Sequence, residues 1–134
     1  MYFILPFDVP CAEKYAKSNI DVTYISSDSL LTVKMSITTP HILQIDSICM
    51  DSDLRYSVKD PVVLFIEKEK RQWLHRISFR LPYKDWKKLY EIHRPYDILV
   101  YTSDHTFQYA FTSKKWKSER TWMSELFRMI EYNK

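Results

Sequence analysis

The 134-residue sequence contains no glycine. At average usage of about 7%, roughly nine would be expected in a chain of this length. Glycine alone enters left-handed backbone conformations without steric penalty and lets a backbone approach a ligand closely. Its absence excludes the Walker phosphate loop, the dinucleotide-binding fingerprint, the usual nucleophile elbow and the standard calcium loop. Turns have to be made from other residues, and Asp is the one that tolerates them at modest cost. Several large enzyme classes are therefore removed before any motif is sought.

The remaining composition is that of a globular chain. Length predicts a single domain over residues 1–134. Hydrophobic residues make up 46% and charged residues 28%. Aromatics reach 16%, which predicts a bulky core. Cys11 and Cys49 are too few for a disulfide scaffold and are expected as reduced thiols, although one bridge between them is compatible with the count. The apolar start, Met1 to Phe7, lacks a basic leader and is cut by Pro6 and Asp8. No stretch approaches the ~20 apolar residues of a membrane span. The expected location is cytoplasmic or otherwise intracellular, with peripheral membrane contact as an option.

Side-chain alternation dominates the middle of the chain. Ile20, Val22 and Tyr24 share one face, and Leu31, Val33, Met35 and Ile37 share another. Residues 41–50 change phase near Asp46 and Ser47, as a bulge would cause. A polar stretch over 51–60 follows, with a short extended piece expected at 55–58, and residues 61–67 form an apolar run of strand length. Trp73, His75, Ile77 and Phe79 alternate again, and strands are predicted at 96–102 and 106–112. A short helix is expected over 10–18, preceded by an extended arm. A second helix is expected near 82–93, where Trp86, Leu89, Tyr90 and His93 have helical spacing. A third, about 115–131, carries Trp122, Met123, Leu126, Phe127 and Ile130 as its apolar stripe, with Ser113 or Ser118 as its cap. The order gives seven strands and a terminal amphipathic helix. It predicts a mainly β (α+β) fold: an antiparallel, partly open barrel or orthogonal sandwich closed by the last helix. Trp122 is expected to be the structural anchor of that closure.

The segment from Asp97 to Ser113, followed by Ser118 to Ile130 with Trp122 behind Glu119 and Arg120, resembles the last two strands and helix of a pleckstrin-homology (PH) domain. The detailed resemblance covers about residues 96–131, and its architecture extends over 20–131, with residues 1–19 as an additional arm. It implies a seven-stranded partly open barrel with a helix inserted near 82–93. It also implies an interaction module, often one that binds phosphoinositides through basic residues around the first hairpin. Here that hairpin, Ser26 to Leu30, has only Lys34 nearby. The connections that would complete the lipid site carry Asp51, Asp53, Asp60 and Asp104 against Arg55 and Lys59. An anionic head group would be repelled there.

Basic residues gather elsewhere. Residues 1–67 hold 5 basic and 9 acidic side chains, and residues 68–134 hold 15 and 8. Three groups stand out: Lys68, Lys70 and Arg71; Lys84, Lys87 and Lys88; and Lys114, Lys115 and Lys117. They form either a docking patch for an acidic protein partner, an anionic lipid surface or a nucleic acid, or an ordinary solvated surface. Trp116 among the last lysines suits a base-stacking platform, but a place at the core edge is the favoured reading.

Sites for chemistry are sparse. His41, His75, His93 and His105 lack metal-ligand spacing with one another or with the cysteines. His75 on an apolar strand face reads as a satisfied core residue. His105 beside Asp104 is the one acid–base candidate, though a turn explains both. Asp51 and Asp53 read as loop carboxylates, with weak cation binding as the alternative. The expectation is a non-catalytic protein-interaction (adaptor) module with no cofactor and no metal.

Overall fold

The computed structural model describes residues 2–132 apart from 12, 14, 25–28 and 93, and the backbone alone of Leu5. Its elements in chain order are β1 (Tyr2–Phe7), β2 (Lys17–Tyr24), β3 (Leu30–Thr39), β4 (Ile45–Asp51), β5 (Arg55–Lys59), β6 (Val62–Glu69), β7 (Gln72–Pro82), α1 (Tyr83–Glu91), β8 (Asp97–Thr102), β9 (Thr106–Ala110) and α2 (Ser113–Tyr132). All pairings are antiparallel. One sheet has the order β1-β2-β3-β7-β6, and the other β5-β4-β8-β9. Neither closes on itself, so the fold is an α+β sandwich with a terminal helix.

The alternation seen in the sequence is what builds it. Leu31, Val33, Met35 and Ile37 of β3 point inward and are almost fully buried, as are Ile77, Phe79 and Leu81 of β7. Ile48, Met50, Ile98, Val100, Phe107 and Tyr109 from the smaller sheet join them in one core cluster. The phase change in β4 is present as a register shift between Ile45 and Ser47 against β8. Seven of the nine strands are those the patterns predicted. The other two are β5, which forms where a short extended piece was expected over 55–58 in the polar stretch, and β1, which pairs with β2 where an extended arm was expected. No helix forms among the described residues of 10–18: Cys11 bridges to Tyr109, and Lys17 already belongs to β2. The predicted roles of His93 and of Ser26 to Asp28 lie outside the described residues.

Among the described residues, two carry the burden of a glycine-free chain. Asp60, between β5 and β6, has φ of 50°, and Lys70, in the two-residue turn between β6 and β7, has φ of 55°. Non-glycine side chains clash mildly with the backbone there.

The helices pack an aromatic cluster against one end of the sandwich. Trp86, Leu89 and Tyr90 of α1 are buried. Trp116 stacks on Tyr90 at 5.4 Å and meets Tyr96 and Phe111. Tyr90 and Tyr96 share a hydroxyl hydrogen bond of 2.7 Å. The anchor of α2 is therefore Trp116, at 6% exposure, with Met123, Phe127 and Ile130. Trp122, expected in that role, is 66% exposed. The buried positions 116, 123, 127 and 130 form one stripe, and Trp122 lies on the neighbouring one. The cap is also displaced from both serines. Thr112 Oγ1 accepts the backbone N–H of Lys115 at 3.1 Å, three residues on, which is the geometry of an N-cap.

Candidate functional site

The nine basic residues singled out by sequence do not converge. Lys68, Lys70 and Arg71 sit at the β6–β7 turn. Lys84, Lys87 and Lys88 sit on α1, beyond the other end of β7. Ten steps along that strand separate them, roughly 33 Å at ~3.3 Å per residue. Lys87 is tied to Glu131 at 3.2 Å. Lys114, Lys115 and Lys117 occupy the first turn of α2, close to Tyr90 at the far end of α1. Lys115 Nζ donates to the Asp8 carbonyl at 3.0 Å, leaving Lys114 and Lys117 as the outward pair. No acidic residue lies in this first helical turn. The positive end of the helix dipole and two lysines thus reinforce one another.

Between β1 and α2 runs an apolar groove of about 510 Å³. Phe3, Ile4 and Pro6 line it from the strand, and Trp122, Leu126 and Met129 from the helix. Phe3, Trp122 and Met129 are exposed at 72%, 66% and 55%. Spacing of three and four residues brings 119, 122, 126 and 129 onto one helix stripe. Glu119 and Glu125 line the same groove. Glu125 pairs with Arg128 at 3.3 Å. Partial burial holds the Glu119 carboxyl above its usual range, with Lys115 opposing the shift. The Trp122 indole also forms one wall of an adjoining hollow lined by Lys114, Lys117, Ser118 and Thr121. It therefore stands between an apolar trough and a basic one. Pro6 and a register shift between Ile4 and Phe7 interrupt β1 at this edge.

A second exposed apolar surface is β6, which pairs with β7 alone. Every residue from Val62 to Glu69 is exposed, including Val62, Val63, Leu64, Phe65 and Ile66 at 62%, 48%, 46%, 45% and 40%. An unbroken apolar run is ordinarily a strand covered on both faces. Here neither face is covered.

The remaining polar groups are engaged structurally. His75 sits between the strands: its Nδ1 donates to the Ile37 carbonyl at 3.1 Å, and its Nε2 accepts the Leu43 N–H at 2.9 Å. Burial pushes its pKa below the usual histidine value. Asp51 pairs with Arg55 at 3.3 Å, and Asp53 pairs with Arg94. Asp104 accepts from Thr102 rather than from His105, whose Nε2 meets Glu13. Glu13 also accepts the Tyr15 hydroxyl, and the two bonds hold its carboxyl below the ordinary range. Sequence spacing gave no sign of this Glu13–His105 pair, because 92 positions separate its members. Cys11 and Cys49 are not bridged. Among the described residues, no group of three His, Cys, Asp or Glu side chains forms a metal-ligand cluster, and no helix is long and apolar enough to cross a membrane.

Comparison with protein-family models, with curated proteins and with solved structures returned no match.

Proposed function

We propose that the chain is a non-catalytic protein-interaction module that takes an amphipathic segment of a protein partner in the β1–α2 groove. One observation carries this reading: Trp122, with Phe3 and Met129 beside it, is held in solvent over a preformed apolar trough. Exposed tryptophans in grooves are where binding energy concentrates at interfaces. The volume falls within the range of preformed ligand clefts. Pro6 and the register shift blunt β1 as a template for strand addition, which favours a helical occupant. Such an occupant would carry apolar residues three and four apart, with an acidic end over Lys114 and Lys117. The PH-like reading belongs to the same proposal, supported by a β sandwich with a terminal helix. Lipid or nucleic acid binding through a single patch of all three basic groups has less support, because the β6–β7 turn group lies a strand's length from those on α1.

The test is selection from a displayed library of 16-residue peptides on the wild-type protein, on Trp122→Ala and on Lys114→Glu/Lys117→Glu. Wild type should enrich amphipathic helical peptides with Asp or Glu clustered at one end. Trp122→Ala should weaken the selected peptides at least tenfold. The double charge reversal should remove the acidic preference and the salt dependence of binding. Equal enrichment on wild type and Trp122→Ala would refute the proposal.

A further inference from the structure

We infer, resting on the groove reading above, that Glu119 selects the partner segment by charge: the occupant of the β1–α2 groove carries an Arg or Lys within its apolar stripe, at the place that comes to lie on Glu119.

Two carboxylates line the groove, and they differ in company. Glu125 pairs with Arg128 at 3.3 Å. Glu119 has no ion pair and no hydrogen bond from its side chain among the described residues. Its cationic neighbours on α2 are engaged elsewhere. Lys115 Nζ donates to the Asp8 carbonyl at 3.0 Å, and Arg120 Nε donates to the Tyr90 carbonyl at 3.2 Å. Phe7 stacks on Phe111 just ahead of α2, while Tyr2 stacks on Tyr24, which stacks on Tyr83 beside Phe127. β1 and α2 therefore run in opposite senses. Glu119 lies at the Pro6 end of the trough, about one helical turn from Trp122.

Glu119 is half-buried before anything binds, and that burial already raises its pKa. A segment seated on Trp122 strips away more of its water. A desolvated carboxylate left without a partner is costly. An apolar neighbour would force it to take up a proton, and a hydroxyl would offer one neutral bond. A cation keeps it ionised and supplies charge-assisted bonds, the strongest of the three. Arg suits the place better than Lys. Its planar fork meets both carboxylate oxygens, and its apolar stem can lie along the Trp122 indole.

The charges on the two sides of Trp122 are opposite. Glu119 lines the trough, and Lys114 and Lys117 line the hollow beyond the indole. A segment with acidic residues alone at this end would suit the hollow and be repelled in the trough. One with basic residues alone would do the reverse. The segment that fits both has a cation on its apolar stripe, three or four positions from the residue covering Trp122, and carboxylates where it reaches Lys114 and Lys117. An apolar trough by itself accepts many amphipathic helices. Glu119 turns away those that would leave its charge buried and unpaired, which is how a groove gains specificity.

Peptides selected on the wild type are compared with those selected from the same library on Glu119→Gln and on Glu119→Lys, with Trp122→Ala marking which of them sit in the groove. Groove-bound peptides from the wild type should hold Arg or Lys at one fixed place in the apolar stripe. Changing that peptide residue to Ala should weaken binding to the wild type at least tenfold, the size of a charge-assisted bond. The same change should cost less than twofold on Glu119→Gln. Selection on Glu119→Lys should put Asp or Glu at that place instead. Circular dichroism should be the same for the wild type and both Glu119 variants, and the peptide series on the wild type decides even where a substitution disturbs the fold. Groove-bound peptides with no fixed basic place, or a basic preference that survives on Glu119→Gln, would overturn the role of Glu119 and leave the groove reading standing. Equal enrichment on wild type and Trp122→Ala would overturn both.

Discussion

Trp116 and Trp122 share a helix and a residue type, yet only one of them holds the fold. Trp116 lies inside a cage of Tyr90, Tyr96 and Phe111. Replacing it with Ala should cost about 3–5 kcal/mol, the range for a large buried aromatic, read by chemical denaturation. Trp122→Ala should change stability by less than about 0.5 kcal/mol, as exposed substitutions do. The sequence offered both tryptophans on an amphipathic helix. It placed the anchor one stripe away because Trp122 sits amid Met123, Leu126 and Phe127, so local periodicity favours it. Trp116 stands among lysines, and its packing partners come from α1, from the chain before β8 and from the end of β9. Those long-range neighbours are invisible to a window of ten residues. The same limit hid the Glu13–His105 pair. His75, by contrast, was legible as a core residue, because its strand alternates without interruption.

At the scale of elements, patterns with a clean period were legible and those depending on partners were not. β3 and β7 follow their alternation closely because each has a neighbour on both sides and one buried face. β5 has little apolar content, so the sequence offered only a short extended piece over 55–58, and the ladder that β4 provides makes it a strand. β6 shows the converse. Its apolar run is a strand, but nothing in the run says that both faces are open. The start of α2 was legible to within two residues, while its cap was not. Thr112→Ala should destabilise the protein by about 1 kcal/mol through loss of the Lys115 N–H acceptor. Ser118→Ala should be near neutral, since Ser118 lies inside the helix and is exposed. Urea denaturation of the two variants side by side separates them, and equal losses would move the cap away from Thr112.

For the whole molecule, the chain passes between the two sheets three times, first in the segment between β3 and β4, which His75 clasps by accepting the Leu43 N–H. That bond needs a bare Nε2, so the folded state holds His75 neutral, with its pKa lowered by burial. An unfolded histidine titrates near 6.5. Below that pH the unfolded chain takes up a proton that the folded chain resists, so the contribution is complete above about pH 6.5 and is lost as the pH falls towards the folded-state value. Denaturant midpoints should therefore drop between pH 7.5 and 5.5. His75→Gln should flatten that part of the slope, and an unchanged slope would show that the clasp carries no pH dependence.

The two outermost strands of the larger sheet share one irregularity. The ladder of β1 shifts register between Ile4 and Phe7, and that of β6 between Val63 and Phe65. A border that kinks offers no straight template to an incoming strand, so both margins of this sheet resist runaway edge-to-edge growth into fibres.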